Sequence, residues 1–194
     1  NAGHSEIDKY AEKIYHKRFP TSKCLGDIRA VRWEEGQCDL LTGGFPCQPH
    51  IVAGKRKASE DERDLWGECV RAVCGIRPSH ALFENVPDLL TSERGRFFNR
   101  VLADLASVGY DAEWQVIPAA AVGSRQLRER LWILSYPNGE RRGTTKKESV
   151  FAGWAAFEFC SWWSVEPDVG RVAYGVPNQL DRGRALGNAI VPQV

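Results

Sequence analysis

Residues 38–49 read Cys38-Asp39-Leu40-Leu41-Thr42-Gly43-Gly44-Phe45-Pro46-Cys47-Gln48-Pro49. The apolar run Cys38 to Thr42 has the length of a buried parallel strand rather than of a helix, and two glycines close it. GGFPCQP is then loop at the carboxyl end of that strand. Open α/β sheets bind ligands in the crevice outside their strand ends, so a thiol at Cys47 would face a ligand. Alone this carries little weight, because a single cysteine is more often a small buried hydrophobe than a nucleophile.

Working outward, Gly54 to Arg63 (GKRKASEDER) has no apolar periodicity and is expected to be loop. Leu65, Cys69, Val73 and Ile76 then recur at helical intervals up to Pro78. His80 to Phe83 is a second short strand, ending in Glu84, Asn85, Val86 and Pro87. Phe97, Phe98, Val101, Leu102 and Leu105 mark a second amphipathic helix, closed near Gly109. Glu113 to Ile117 and Arg130 to Ser135 lie close together in sequence and are expected to form an antiparallel pair at one side of the sheet. Upstream, Ala11, Ile14, Tyr15 and Phe19 share a helical face with Asp8 as its cap, and Gly3 to Ile7 would be the end of a strand entering that helix. The alternation predicts an α/β domain with a mainly parallel sheet. After Tyr136 the character changes. PNGERRGTTKKES is turn-rich and basic, and FAGWAAFEFCSWW carries three tryptophans and three phenylalanines, so a small insert is expected from about Pro137 to Val165.

The chain has 194 residues, 43% hydrophobic and 26% charged, enough for one sizeable core and far from a disordered or collagen-like composition. Lys plus Arg is 26 against 25 for Asp plus Glu, a net charge of +1, so contact with nucleic acid must come from local basic patches. No apolar run approaches the roughly 20 residues that cross a bilayer, and the N-terminus lacks the basic-then-apolar layout of a signal peptide. The expectation is a soluble cytoplasmic chain with no membrane partner. Six cysteines without CxxC pairs and four histidines without zinc-finger spacing point to reduced thiols and no metal site. The absence of methionine and the start at Asn1 suggest a fragment whose natural N-terminus is missing.

Glu84 and Asn85 stand where a neighbouring parallel strand would bring them beside Cys47, so that a thiol, a carboxyl and an amide converge on one pocket. The ordinary alternatives are a solvated or capping carboxylate and a turn former ahead of Pro87. In SRQLRER, Gln126, Arg128 and Arg130 alternate at period two and share one face of an entering strand. The alternative there is a charged strand edge kept from aggregating.

With these residues in view the sequence resembles the DNA cytosine-5 methyltransferases, of prokaryotic or phage type and truncated at the N-terminus. The segments that carry the resemblance are GGFPCQP at Gly43 to Pro49, ENV at Glu84 to Val86, QLRER at Gln126 to Arg130 and GNAIVPQV at Gly187 to Val194. SEIDKYA at Ser5 to Ala11 and GDI at Gly26 to Ile28 are weaker matches. The resemblance implies a Rossmann-like methyltransferase fold dependent on S-adenosyl-L-methionine, with residues 1–136 as catalytic domain, 137–175 as a reduced target-recognition insert and 176–194 returning to the catalytic domain. It implies that Cys47 is the thiolate that adds to carbon 6 of cytosine, that Glu84 protonates ring nitrogen N3, that Asn85 holds the loop, and that Arg128 and Arg130 grip the base and the cysteine loop. For the cofactor it implies Glu6 on the ribose hydroxyls, Ile7 beside the adenine, Asp27 and Ile28 framing that base, Phe45, Pro46 and Leu65 as walls, and Asn188 closing the pocket. For double-stranded DNA it implies Gln48, Lys55, Arg56, Lys57 and Gln126, with the target cytosine flipped out of the duplex. A monomer in a prokaryotic or phage-infected cell, within a restriction-modification system, is the expected setting.

The pattern departs from the family in places. The glycine-rich loop that cradles the methionine end of the cofactor would precede Asn1, so a chain of this extent is expected to bind cofactor poorly or not at all. Ile7 stands where an aromatic is usual, His50 and Ile51 stand where Phe and Ser are more frequent, and few residues separate the arginine strand from GNAIVPQV. The rival functions are an RNA cytosine-5 methyltransferase of the same fold, a non-catalytic DNA-binding relic, and a cysteine hydrolase pairing Cys47 with a histidine, for which no histidine has a fitting context.

Overall fold

The computed structural model describes residues 3–46, 64–122 and 127–139. Of these, residues 32–46, 64–118 and 128–139 belong to one compact unit, and residues 3–31, 119–122 and 127 to another. Among the described residues no helix is long and apolar enough to cross a membrane.

The larger unit is a four-stranded sheet packed against two helices. In chain order the elements are β1 (Leu40–Gly44), α2 (Trp66–Ile76), β2 (His80–Asn85), α3 (Arg96–Ser107), β3 (Tyr110–Pro118) and β4 (Glu129–Pro137); α1 (Lys9–Arg18) belongs to the smaller unit. The sheet order is β1-β2-β4-β3. The β1–α2–β2 crossover makes β1 and β2 parallel, as the alternation predicts, and β3 and β4 form the expected antiparallel pair at one side. β4 also joins β2 in antiparallel fashion, so the described sheet is mixed, with one parallel pairing of three, rather than mainly parallel.

Each element follows from its residues. On α2 the buried positions are Trp66, Cys69, Ala72, Val73 and Ile76, a stripe at helical spacing, and Arg77 ends it in the left-handed region ahead of Pro78. On α3 the buried stripe is Phe97, Phe98, Val101 and Leu105. Both stripes meet Ala81 and Phe83 of β2 and Leu131 and Ile133 of β4, the two central strands, in a single core. Along β2 every second residue is buried, so one face of the sheet carries this core. β1 runs two residues later than the apolar run suggests and is not fully buried: Leu40 is 55% exposed. It has one described neighbour, β2, and Cys38 and Asp39 lead into it rather than belonging to it.

Gly75 sets a close contact that fixes the approach to β1. A Cβ on Gly75 would sit 2.7 Å from the Cβ of Trp33, and the turn that follows Trp33 is tied to the same helix by the Gly36 N–H on the Ile76 carbonyl at 2.9 Å. The obstructing atom is itself a Cβ and moves only with its main chain. Overpacking of this kind costs about 1–3 kcal/mol, against the roughly 1 kcal/mol that alanine gains over glycine inside a helix. Gly75→Ala is therefore expected to lower the unfolding midpoint in urea; a raised midpoint would show that residues 33–37 yield freely.

In the smaller unit Asp8 caps α1 as expected, its Oδ1 accepting from the N–H groups of Tyr10 and Ala11 at 2.8 and 3.2 Å. The strand end expected over Gly3 to Ile7 is reduced to a single parallel bridge, His4 to Cys24. After that bridge the Glu6 side chain turns back onto its own backbone and the chain enters the helix, so no ladder extends.

Candidate active site

Strand register decides which side chains meet. Gly44 of β1 is level with Glu84 of β2, and Glu84 is level with Trp132 of β4. Because β1 and β2 are parallel while β4 runs the other way, the carboxyl ends of the first two and the amino end of the third lie at one edge of the sheet. Side chains alternate, so Glu84 and Arg130, two residues before Trp132, share one face. Asn85, level with Leu131, turns to the core face beside Phe83.

The pair on the first face is an ion pair: Arg130 Nε donates to Glu84 Oε1 at 2.8 Å, with both side chains half-buried. Glu84 Oε2 lies 3.4 Å from the position a Cβ on Gly44 would take, an ordinary contact distance, so the carboxyl rests against the end of β1. Burial raises the Glu84 carboxyl above its ordinary pKa, and the Arg130 and Arg128 charges only partly offset this. Arg128 is lowered, first by desolvation and then by Arg130, with Glu84 acting in the opposite sense. The cluster therefore holds a carboxyl that takes up a proton more readily than a solvated glutamate, with Arg130 in contact with it and the Arg128 charge acting on it from nearby.

On the core face Asn85 is buried and fully engaged. Its Nδ2 donates to the Phe45 carbonyl at 3.0 Å and its Oδ1 accepts from the Val86 N–H at 2.9 Å. The Phe45 ring is buried against Trp66, Phe83 and Phe97, with centroids at 4.9, 6.4 and 6.4 Å. Phe45 is thus held at both its ring and its carbonyl, and exposed Pro46 follows it directly.

Of the residues singled out from sequence, Glu84, Asn85, Phe45, Pro46, Leu65, Arg128 and Arg130 lie in the larger unit. Leu65 is half-buried just before α2, its carbonyl accepting from the N–H groups of Glu68 and Cys69. Cys47, Gln48, Lys55, Arg56, Lys57, Gln126 and Asn188 lie outside the described residues. Cys69 offers a contrast to any reactive thiol. Burial, with Asp64 and Glu68 adding to it, pushes its pKa up to about 12, which leaves it protonated and inert in the core.

Glu6, Ile7, Asp27 and Ile28 lie in the smaller unit. Glu6 Oε1 accepts from the N–H groups of Ile7 and Asp8 at 2.8 and 2.7 Å, which orients the carboxylate at the start of α1. Beside it Ile7 is 68% exposed, an apolar side chain available to cover a flat ring. The Asp27 carboxylate accepts from the Arg29 backbone N–H at 3.0 Å and pairs with the Arg29 guanidinium at 2.6 Å, which holds its pKa below the usual range. That side chain is committed to capping its own turn, so Asp27 shapes the turn rather than offering a free carboxylate. Glu6 and Ile7 thus set an oriented carboxylate next to an uncovered apolar side chain at the start of α1.

Four residues that sequence reasoning passed over form a network, of which Trp66 touches the Phe45 ring. The Trp66 indole N–H donates to Asp104 Oδ2 at 2.9 Å, Arg100 reaches Asp104 and Asp64 at 3.4 and 3.0 Å, and Asp64 Oδ1 accepts from the Trp66 backbone N–H at 3.0 Å. The available signal was the Arg100 and Asp104 spacing of four on a helix.

The profile of the family described as C-5 cytosine-specific DNA methylase matches residues 1–155. Type II methyltransferase M.Bsp6I of Bacillus sp. (strain RFL6) is 36% identical over 140 residues, covering 70% of this chain and 44% of its own length. Type II methyltransferase M.NgoBI of Neisseria gonorrhoeae is 36% identical over 138 residues, covering 70% and 43%. The chain thus spans less than half the length of these relatives. Among solved structures, a mutant of Spodoptera frugiperda DNMT2 superposes with a TM-score of 0.58 at 18% identity, over 76% of this chain and 46% of that one. A DNA modification methyltransferase described as putative, encoded within an E. coli prophage, gives 0.55 at 20% identity, over 69% and 39%. These likenesses establish a Rossmann-like methyltransferase fold, and the profile match over 155 of the residues places the chain in the C-5 cytosine-specific DNA methylase family.

Proposed function

We propose that the protein transfers a methyl group from S-adenosyl-L-methionine to carbon 5 of a cytosine in double-stranded DNA. The observation that carries this reading is the convergence of Glu84, Arg130 and the Asn85-held Phe45 at one sheet edge, immediately before Pro46 and Cys47 in the chain.

Carbon 5 of cytosine is a poor nucleophile. In the proposed reaction the Cys47 thiolate bonds to carbon 6 while ring nitrogen N3 takes a proton from Glu84, and the electron pair released to carbon 5 attacks the methyl group. The cofactor supplies that methyl on a sulfonium, an electrophile with a neutral leaving group. Loss of the carbon 5 proton to a base then expels the thiolate, and the proton on N3 returns to the Glu84 carboxylate, which leaves 5-methylcytosine and restores the acid. Burial supports Glu84 as the proton donor, since a carboxyl raised above its ordinary pKa retains its proton to higher pH. Arg130 fixes the carboxyl, and Arg128 beside it adds a cation suited to the base carbonyl or a nearby phosphate. Asn85 positions the turn ahead of Cys47.

Glu6 and Ile7 are assigned to the ribose and adenine, with Asp27 and Ile28 shaping the adenine turn and Phe45, Pro46, Leu65 and Asn188 as further cofactor contacts. Gln48, Lys55, Arg56, Lys57 and Gln126 are assigned to DNA, whose target base must leave the stack at a cost of a few kcal/mol. The names of the similar type II methyltransferases support a bacterial cytoplasmic setting in a restriction-modification system.

The test incubates the full-length protein with labelled S-adenosylmethionine and either duplex DNA or tRNA, followed by nucleoside mass spectrometry. 5-Methyldeoxycytidine from DNA is the expected product. 5-Methylcytidine from tRNA alone would move the assignment to RNA, and no product from either would overturn the catalytic reading.

A further inference from the structure

Phe45 is fixed from two sides, and only the carbonyl side involves a residue of the family motifs. On the other side the Trp66 indole lies 4.9 Å from the Phe45 ring and 5.3 Å from Phe83. Trp66 is completely buried, and its orientation is set by one hydrogen bond, from Nε1 to Asp104 Oδ2 at 2.9 Å. Asp104 is held in turn by Arg100 Nε at 3.4 Å, one helical turn away. The same Arg100 reaches across to Asp64, whose carboxylate is 7% exposed and accepts from the Trp66 backbone N–H at 3.0 Å. Two carboxylates, one guanidinium and one indole therefore lock the start of α2 to α3.

We infer that Trp66 and Asp104 are positioning residues for the methyl-transfer step, acting through the Phe45 ring to set the turn that leads into Cys47. This rests on the function proposed above. Physically, the residue after Phe45 is Pro46, whose ring holds φ near −65°. With the Phe45 ring and carbonyl both clamped, few backbone rotations remain before Cys47. Release of the ring restores rotation about Phe45, and a misplacement of about 1 Å at a reacting group can cost about a hundredfold in rate. The contacts of Trp66 and Asp104 lie on the core side of the sheet, away from the Glu84 and Arg130 pair, so substrate affinity is not expected to depend on them.

The experiment compares Asp104→Leu, Asp104→Asn and Trp66→Phe in the full-length protein. Asparagine keeps an oxygen for the indole N–H, whereas leucine does not; phenylalanine keeps ring packing but loses the donor. Asp104→Leu and Trp66→Phe are expected to lower kcat about 10- to 100-fold with KM for DNA and cofactor within about twofold, and Asp104→Asn to recover most of the rate. Alkylation of Cys47 by iodoacetamide, followed on its peptide by mass spectrometry, is expected to change at least threefold in Asp104→Leu and little in Asp104→Asn. Unchanged kcat and alkylation in folded Asp104→Leu would overturn the inference, as would equal losses in the leucine and asparagine variants. Should the unsubstituted protein transfer no methyl group, the proposed function fails and the alkylation rates alone decide whether Trp66 and Asp104 set the turn. If Asp104→Leu does not fold, Trp66→Phe decides by the same two measurements.

Discussion

Cys47→Ala is expected to abolish methyl transfer and, with it, covalent capture on duplex DNA containing 5-fluorocytosine. Without a thiolate at carbon 6, carbon 5 has no enamine character, and a bound sulfonium has nothing to react with. Loss of an attacking group reduces turnover by about 10⁴-fold or more in enzymes that depend on one. Binding should survive, because alanine removes a sulfur and no charge contact with phosphate. Capture has a separate logic: fluorine at carbon 5 cannot leave as a cation, so once methyl has been added the adduct cannot collapse and the protein stays bound to DNA through the thiol. A denaturing gel with labelled DNA reads this directly, and a filter-binding assay on the same variant checks affinity. Residual turnover above a thousandth of the unsubstituted rate would remove Cys47 from the mechanism, and Cys69 could not replace it, since burial holds that thiol protonated.

The elements that carry the site were legible in the sequence because each is short, apolar and bounded. His80 to Phe83 is the start of β2, and the stripes Cys69-Val73-Ile76 and Phe97-Phe98-Val101-Leu105 are the buried faces of α2 and α3. Leu40 was misread as buried because an apolar residue in a short run looks the same in a central strand as in one with a single described neighbour. The insertion of β4 between β2 and β3 was half visible. The hairpin-like closeness of two strands signals their pairing to each other, but nothing local says that β4 will also pair with β2, which is a long-range choice made by core packing of Leu131 and Ile133. Glu84 and Asn85 were legible as neighbours of the carboxyl end of β1 from register logic alone, yet adjacent positions on a strand face opposite ways. One therefore meets Arg130, and the other holds Phe45. The network of Trp66 with Asp104 was invisible because a tryptophan on an apolar helix face already has a sufficient explanation, and the partner of its N–H lies 38 residues away.

Glu84→Gln is expected to slow methyl transfer by about 10²–10⁴-fold, the usual contribution of a positioned general acid, while leaving DNA and cofactor affinity nearly unchanged. Glutamine is isosteric and its Oε1 still accepts from Arg130 Nε, so the sheet edge keeps its geometry and what disappears is the transferable proton. The pH dependence separates this role from a merely structural one. Burial shifts the Glu84 pKa upward from its ordinary value, with Arg130 and Arg128 pulling the other way and losing. The acid form therefore persists to higher pH than in a solvated glutamate and is lost as pH rises through the shifted value, which lowers the rate on the alkaline side of that pKa. The thiol of Cys47 acts in the opposite sense, since its reactive form grows with pH. The unsubstituted protein should accordingly show a rate that rises with thiolate formation and is held back by loss of the carboxyl proton, whereas the variant should retain only the rising limb. Single-turnover methylation measured from about pH 5 to 9 reads both limbs. If the variant keeps the falling limb, that limb belongs to another group, and if its only defect is weaker DNA binding, Glu84 acts as part of the Arg130 pair and not as the donor to N3.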